Sequence, residues 1–220
     1  MRKFSLLLAF LMPLMIFPQE KDARQQIRNL KNSILLVRLR TSDNKIKALE
    51  QAGYTEDAKE TREKQRKENL KITKAFTDEF NFCPVYFFYS SATTEIKAHH
   101  FGGYLLDAGL KPVKGISKPV ADFFVAEFTQ IERSQGKYYE NTTLEKNEEG
   151  YGEKRDNYYG SPDLGFNALV IRDSSFHQLQ EPFPFYVKTS GFLPIFKRKP
   201  EKVVKKLNEN LSMYYKSVKH

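Results

Sequence analysis

Residues 33–43 read SILLVRLRTSD, an apolar run of strand length that carries Arg38 and Arg40 near its end and gives way at once to Thr41, Ser42 and Asp43. Thr, Ser and Asp are the residue types that cap helices, so the stretch predicts a strand running straight into a helix. That helix would turn Ile46, Leu49 and Ala52 inward and stop at Gly53, because glycine tolerates the positive φ of a helix C-terminus. A second helix is expected from Thr55, with Glu56 and Asp57 in the first turn where the helix dipole favours negative charge. Its middle, 59–71, is nearly all charged, with Glu60 and Lys64, and Glu63 and Lys67, four apart in the favourable order. This is the pattern of a solvated helix surface, and the apolar face returns only with Leu70, Ile72, Phe76 and Phe80.

Working outward, residues 82–89 (FCPVYFFY) form the strongest strand signal, apolar on both faces as a central, doubly covered strand should be. Pro84 must lie at its start or at a bulge, since proline cannot donate to the ladder. Ser90, Ser91, Thr93 and Thr94 follow as a polar turn. Residues 120–131 and 166–172 read as further strands, the latter ending in Asp173, Ser174 and Ser175 and returning as a hairpin through 183–187. Pro182 and Pro184 place that return at a sheet edge. From Pro200 and Glu201 the apolar residues Val204, Leu207, Leu211, Tyr214 or Tyr215, and Val218 keep helical spacing. The expected fold is α/β: a central mixed sheet of about five strands with at least one parallel pair, flanking helices, one long charged helix and a C-terminal amphipathic helix.

The N-terminus has a cationic start, Arg2 and Lys3, and an apolar run over 4–17 before Gln19 and Glu20. That run is shorter than the ~20 residues a spanning helix needs and contains Pro13. It predicts a signal peptide over 1–18 and one α/β domain over 19–220, located in the periplasm or outside the cell, with no integral membrane segment after cleavage. A single cysteine, Cys83, can form no internal disulfide, so the core must rest on packing, with 18 Phe and 12 Tyr available for it. The net charge is +9, and loss of Arg2 and Lys3 lowers it by two. Basic and acidic residues alternate along most of the chain, which favours solubility and attraction to anionic surfaces over nucleic-acid binding.

Familiar chemistry is sparse. Cys83 sits between apolar neighbours with no C-x-x-C partner, which predicts a buried thiol. His99 and His100 are adjacent and point apart, a poor geometry for one ion, so no metal is expected. Phe101-Gly102-Gly103-Tyr104 lacks the lysine and hydroxyl of a phosphate loop, and neither Ser90-Ser91 nor Ser174-Ser175 has the glycine-flanked elbow of a nucleophile. No cofactor is expected either. The positive argument is positional: open α/β sheets bind ligands beyond the carboxyl ends of their strands. Those ends hold Arg38, Arg40, Ser90 and Asp173. Arg38 and Arg40 lie two apart, hence on one face, and make a candidate clamp for a carboxylate, phosphate or sulfate; the alternative is that one of them pairs with a carboxylate such as Asp173. Residues 135–165 form a long Tyr-rich connection in which Tyr158 and Tyr159 are candidates for an aromatic flap over a sugar or peptide.

On residues 83–89 and 167–188 the chain resembles exported proteins of bacterial envelopes that carry a domain of unknown function. The resemblance implies no catalytic residue. The hairpin over 168–179 is also similar to the last hairpin of thioredoxin-like folds, a likeness of topology only, because the redox pair is missing. The leading expectation is a non-catalytic binding or structural envelope protein whose partner is an anionic small molecule, a glycan or an envelope protein. The alternatives are a hydrolase or transferase on an anionic or glycan substrate, with Asp173 or Glu127 as acid/base, and a redox-inactive thioredoxin-like scaffold.

Overall fold

A computed structural model describes residues 18–113, 123–131, 144–146, 152–154, 166–190 and 198–219. The strands in chain order are β1 (Ile34–Leu39), β2 (Val85–Tyr89), β3 (Phe123–Gln130), β4 (Leu144–Lys146), β5 (Gly152–Lys154), β6 (Asn167–Arg172) and β7 (Tyr186–Lys188). The helices are α1 (Pro18–Asn32), α2 (Asp43–Gln51), α3 (Thr55–Glu79), α4 (Thr93–Lys97) and α5 (Pro200–Lys219). Five strands form a mixed sheet in the order β2-β1-β3-β6-β7, and β4 pairs with β5 as a separate antiparallel ribbon. The α/β class with a mixed five-stranded sheet and flanking helices follows directly.

β1 lies between β2 and β3 and is parallel to both, with Leu35 opposite Val85 on one side and Phe124 on the other. Being apolar on both sides it can be covered on both. Leu35, Val37 and Leu39 face a core built with α1, α3 and α5, while Ile34 and Leu36 face a second core with Phe88, Ile96, Phe101 and Leu105. The chain winds from β1 to β2 through α2 and α3, then crosses back over β1 to β3 by way of α4. Right-handed crossovers in opposite directions put those two connections on opposite faces, which is how the two cores arise. β6 then runs antiparallel to β3, and β7 antiparallel to β6, closing the far edge.

The placement of β2 corrects the sequence reading. It is an edge strand, not a central one, although the strand begins just after Pro84 as expected. Its apolar edge is covered locally: Phe87 and Leu106 exchange backbone hydrogen bonds of 3.0 and 2.7 Å, so a loop does the work that a neighbouring strand would do. The turn that presents Leu106 uses Gly103 at φ 80, where a side chain would be strained.

α1 is absent from the sequence expectation. Its apolar positions are few, yet Ala23, Ile27 and Leu30 share one face and are almost fully buried against α5 and β1. Arg28 Nη2 donates to the Val218 carbonyl at 3.0 Å, satisfying a free carbonyl at the end of α5. Lys31 Nζ donates to the Phe82 carbonyl at 2.6 Å and lies 4.9 Å from the centre of that ring. Residues 1–17, the expected signal segment, lie outside the described residues. Among the described residues no helix is long and apolar enough to cross a membrane.

In α3 the exposed, charged first half is as expected, but the inward face also carries polar side chains. Asn69 and Thr73 are buried beside Ala75 and Phe76. Thr73 Oγ1 donates to the carbonyls of Leu70 and Ala108, and Asn69 bonds the exit of β1, so these groups bury at no loss of hydrogen bonding. α5 places Val203, Val204, Leu207, Leu211 and Val218 in the core as the helical spacing requires.

Candidate functional site

β1 ends where the two crossovers diverge. Between its carboxyl end and that of β3 the sheet opens into a hollow of about 800 Å³ that includes Arg38, Arg40, Lys45, Ser90, Ser91 and Glu127 in its lining. Such a topological switch point is the place where a doubly wound sheet leaves a crevice, because the loops on its two sides turn away to opposite faces.

Arg38 and Glu127 are register partners on neighbouring parallel strands, so their side chains emerge on the same face. Arg38 Nη1 donates to Glu127 Oε1 at 2.5 Å, and Arg38 Nε donates to Thr93 Oγ1 at 3.0 Å. The Thr93 hydroxyl in turn donates to the Ser90 carbonyl at 2.6 Å. Three consecutive segments, β1, the turn after β2, and β3, are thereby locked around one guanidinium. The Glu127 side chain is only 8% exposed and that of Arg38 26%, so the pair is buried at the strand end with one side toward the hollow.

The loop from β1 to α2 is held from the opposite direction. Ser42 has φ 58 and makes no side-chain cap on α2, contrary to the capping expected for it. Its Oγ donates instead to Gln65 Oε1 at 2.7 Å, Gln65 Nε2 donates to Asn69 Oδ1 at 3.2 Å, and Asn69 Nδ2 donates to the Arg40 carbonyl at 2.8 Å. α3 thus fixes this loop through its own polar face. The consequence for α2 is an uncapped first turn beside the hollow, since Ile46 is the first amide bonded back to Ser42. Asp43 is engaged by Thr41 Oγ1 at 2.5 Å, and the Thr41 and Ser90 hydroxyls are 3.2 Å apart.

Of the residues the sequence singles out, Arg38, Arg40, Ser90 and Glu127 meet here, with Arg40 exposed at the rim. Asp173 does not join them. β6 is antiparallel, so its carboxyl end lies at the opposite end of the sheet, where Arg172 faces Val125. There Asp173 Oδ1 accepts from the His177 amide at 2.9 Å and organises the turn. The two-arginine clamp is corrected as well, because Arg38 is committed to Glu127, and Arg40 stands alone as the exposed guanidinium. Tyr158 and Tyr159 lie outside the described residues. Thr93, Gln65 and Asn69, which the sequence reading did not bring forward as site residues, complete the arrangement. The one local signal for Glu127 is a lone charge inside the apolar run 123–128, whereas nothing local marks Asn69 as buried.

His99 packs edge-on against Phe101 and Phe123, with centroids 5.9 and 5.2 Å away, and His100 lies 3.1 Å from a Glu95 oxygen. Cys83 is buried, and burial pushes its thiol up from the ordinary 9.0 to about 12, with the nearby Lys31 ammonium pulling weakly the other way. A protonated, enclosed thiol is a poor nucleophile. The native protein should therefore react with a thiol reagent such as dithiobis-nitrobenzoate near pH 8 only on unfolding; rapid native labelling would show the thiol to be open. Because the folded value is raised, the stability contribution is complete below about pH 9 and is lost as pH rises toward about 12. Near pH 10.5 the unfolded state should gain about 2 kcal/mol from this ionisation, and Cys83→Ala should abolish that part of the alkaline fall in urea stability.

No family model, curated protein or solved structure matches the chain.

Proposed function

We propose that the chain is an exported envelope protein, acting in the periplasm or outside the cell, which reversibly binds a small anionic ligand at the carboxyl ends of β1 and β3. One observation carries the reading: the crossover brings Arg38, Arg40, Lys45, the uncapped first turn of α2 and the hydroxyls of Ser90 and Ser91 to a single hollow at the switch point. Arg38, Arg40 and Lys45 against Asp43 and Glu127 leave one excess positive charge, and the open amides of a helix start add partial positive charge to it. Such a site attracts phosphate, sulfate or carboxylate groups.

Binding is favoured over turnover by what the carboxylates are doing. Glu127 is committed to Arg38, and Asp173 is at the other end of the sheet, so neither candidate acid/base group stands as a free carboxylate in the hollow. Export is supported by Arg2, Lys3 and the apolar run 4–17 that precede α1.

Titration calorimetry and thermal melting with inorganic phosphate and sulfate test the site. Saturable binding that raises the melting temperature is expected, with a loss of about tenfold in affinity for Arg40→Ala, roughly the effect of one charge-assisted hydrogen bond. Arg40 is exposed, so its replacement should leave the fold intact. No thermal shift with any anion would end the reading. N-terminal sequencing of the chain recovered from the envelope fraction should begin at or beside Gln19; an intact Met1 in the cytoplasm would remove the export half of the proposal.

A further inference from the structure

We infer that the ligand is an elongated dianion, two anionic groups joined by a linker, lying across two connected hollows; this rests on the anion site just described and extends it. A second hollow of about 740 Å³ lies between α3, the amino end of β6 and the start of α5. Arg40 and Thr129 line both hollows. They stand two residues beyond the register partners Arg38 and Glu127, so the two spaces meet along the ends of β1 and β3.

The second hollow has its own excess of positive charge. Lys71 is paired with Glu68 at 2.9 Å, and Arg198 Nη1 donates to the neutral Lys188 carbonyl at 3.4 Å. Among the described residues Arg198 and Lys199 therefore form no ion pair, and they face the single carboxylate of Glu201. In the first hollow Arg38 and Glu127 neutralise each other, which leaves Arg40 and Lys45 against Asp43. One uncompensated positive charge thus remains in each hollow, with Arg40 counted in the first. A monoanion offsets only one of them. Two separate monoanions each incur the entropic cost of association, whereas two anionic groups on one linker incur it once, and the second group binds at the local concentration the linker sets. Volume points the same way. Joined hollows of about 800 and 740 Å³ exceed the roughly 300–1,000 Å³ of a single small-molecule site, which suits a long ligand better than a compact one.

Titration calorimetry with methylphosphonate and a series of α,ω-alkanebisphosphonates of increasing length tests this on the wild-type protein, Arg40→Ala and the double variant Arg198→Ala/Lys199→Ala. All the bisphosphonates carry the same charge, so an affinity optimum at one length reports the span between the hollows rather than general attraction to a basic protein. The optimum is expected to exceed methylphosphonate by about tenfold or more, well above the roughly twofold that a second identical end gives by statistics alone. Arg198 and Lys199 are exposed, so the double variant should fold. In it every bisphosphonate should bind within about twofold of methylphosphonate. A flat dependence on length, or an optimum kept by the double variant, would overturn the two-hollow ligand. The anion site stands in that case if methylphosphonate binds and is weakened in Arg40→Ala. Failure of every probe to bind would overturn both.

Discussion

Arg38→Met is expected to destabilise the protein by about 2–4 kcal/mol, because it strands the Glu127 carboxylate, 8% exposed, at the end of β3. The cost is set below the full penalty for a buried pair since the Arg38 side chain is 26% exposed and water screens part of the interaction. The same change frees Thr93 Oγ1 from its donor and loosens the turn after β2. The double variant Arg38→Met/Glu127→Leu should regain most of the loss, to within about 1 kcal/mol of wild type, because two apolar side chains of similar volume replace an ion pair whose desolvation cost roughly cancels its attraction. Urea unfolding of the four proteins in a double-mutant cycle measures this. A single variant no worse than the double would show that the pair is uncoupled. If the double is stable yet no longer binds the anion, the charges are held at the strand end for the ligand's sake, since folding can do without them.

Removal of α1 should have a still larger effect. A chain starting at Gln19 keeps Ala23, Ile27 and Leu30 and is expected to melt with the full-length protein, whereas a chain starting at Ser33 should not reach the native state. Ile27 and Leu30 are fully buried, and losing two such side chains costs about 2–5 kcal/mol each, comparable with the roughly 5–15 kcal/mol total stability of a domain. The deletion also uncovers the part of α5 that packs against α1 and removes the Lys31 and Arg28 ties to Phe82 and Val218. Near-ultraviolet circular dichroism and cooperative urea unfolding distinguish the outcomes. A native, cooperative transition in the shorter chain would mean that α1 is an accessory to the core.

These two cases differ in how visible they are along the chain. α1 was legible in principle: Ala23, Ile27 and Leu30 repeat at helical spacing, but three small or medium apolar residues among so many charges make a faint period, and their importance comes from what α5 brings to them. β2 shows the opposite failure. Residues 85–89 are apolar enough for a central strand, and they occupy an edge because one side is closed by the loop at Leu106 and the aromatic faces pack on helices and neighbouring rings. Composition records that a strand is covered; it does not record whether the cover is another strand. Ser42 fails for a related reason. A serine before a helix normally caps it, yet here Gln65, a full helix away, competes successfully for the hydroxyl.

The sequence by itself determined the α/β class, the strand at 34–39 running into a helix, the long solvated helix and the amphipathic C-terminal one, since the periods of 2 and 3.6 are local properties of the backbone. It also brought Arg38, Arg40 and Ser90 forward as strand-end residues. Only the tertiary structure decided that β3 is parallel to β1 and β6 antiparallel to β3, which puts Glu127 beside Arg38 and sends Asp173 to the opposite end of the sheet. Strand direction and neighbour order are settled by hydrogen bonds and packing between segments far apart in the chain; Arg38 and Glu127 are 89 residues apart, and no local pattern carries that pairing.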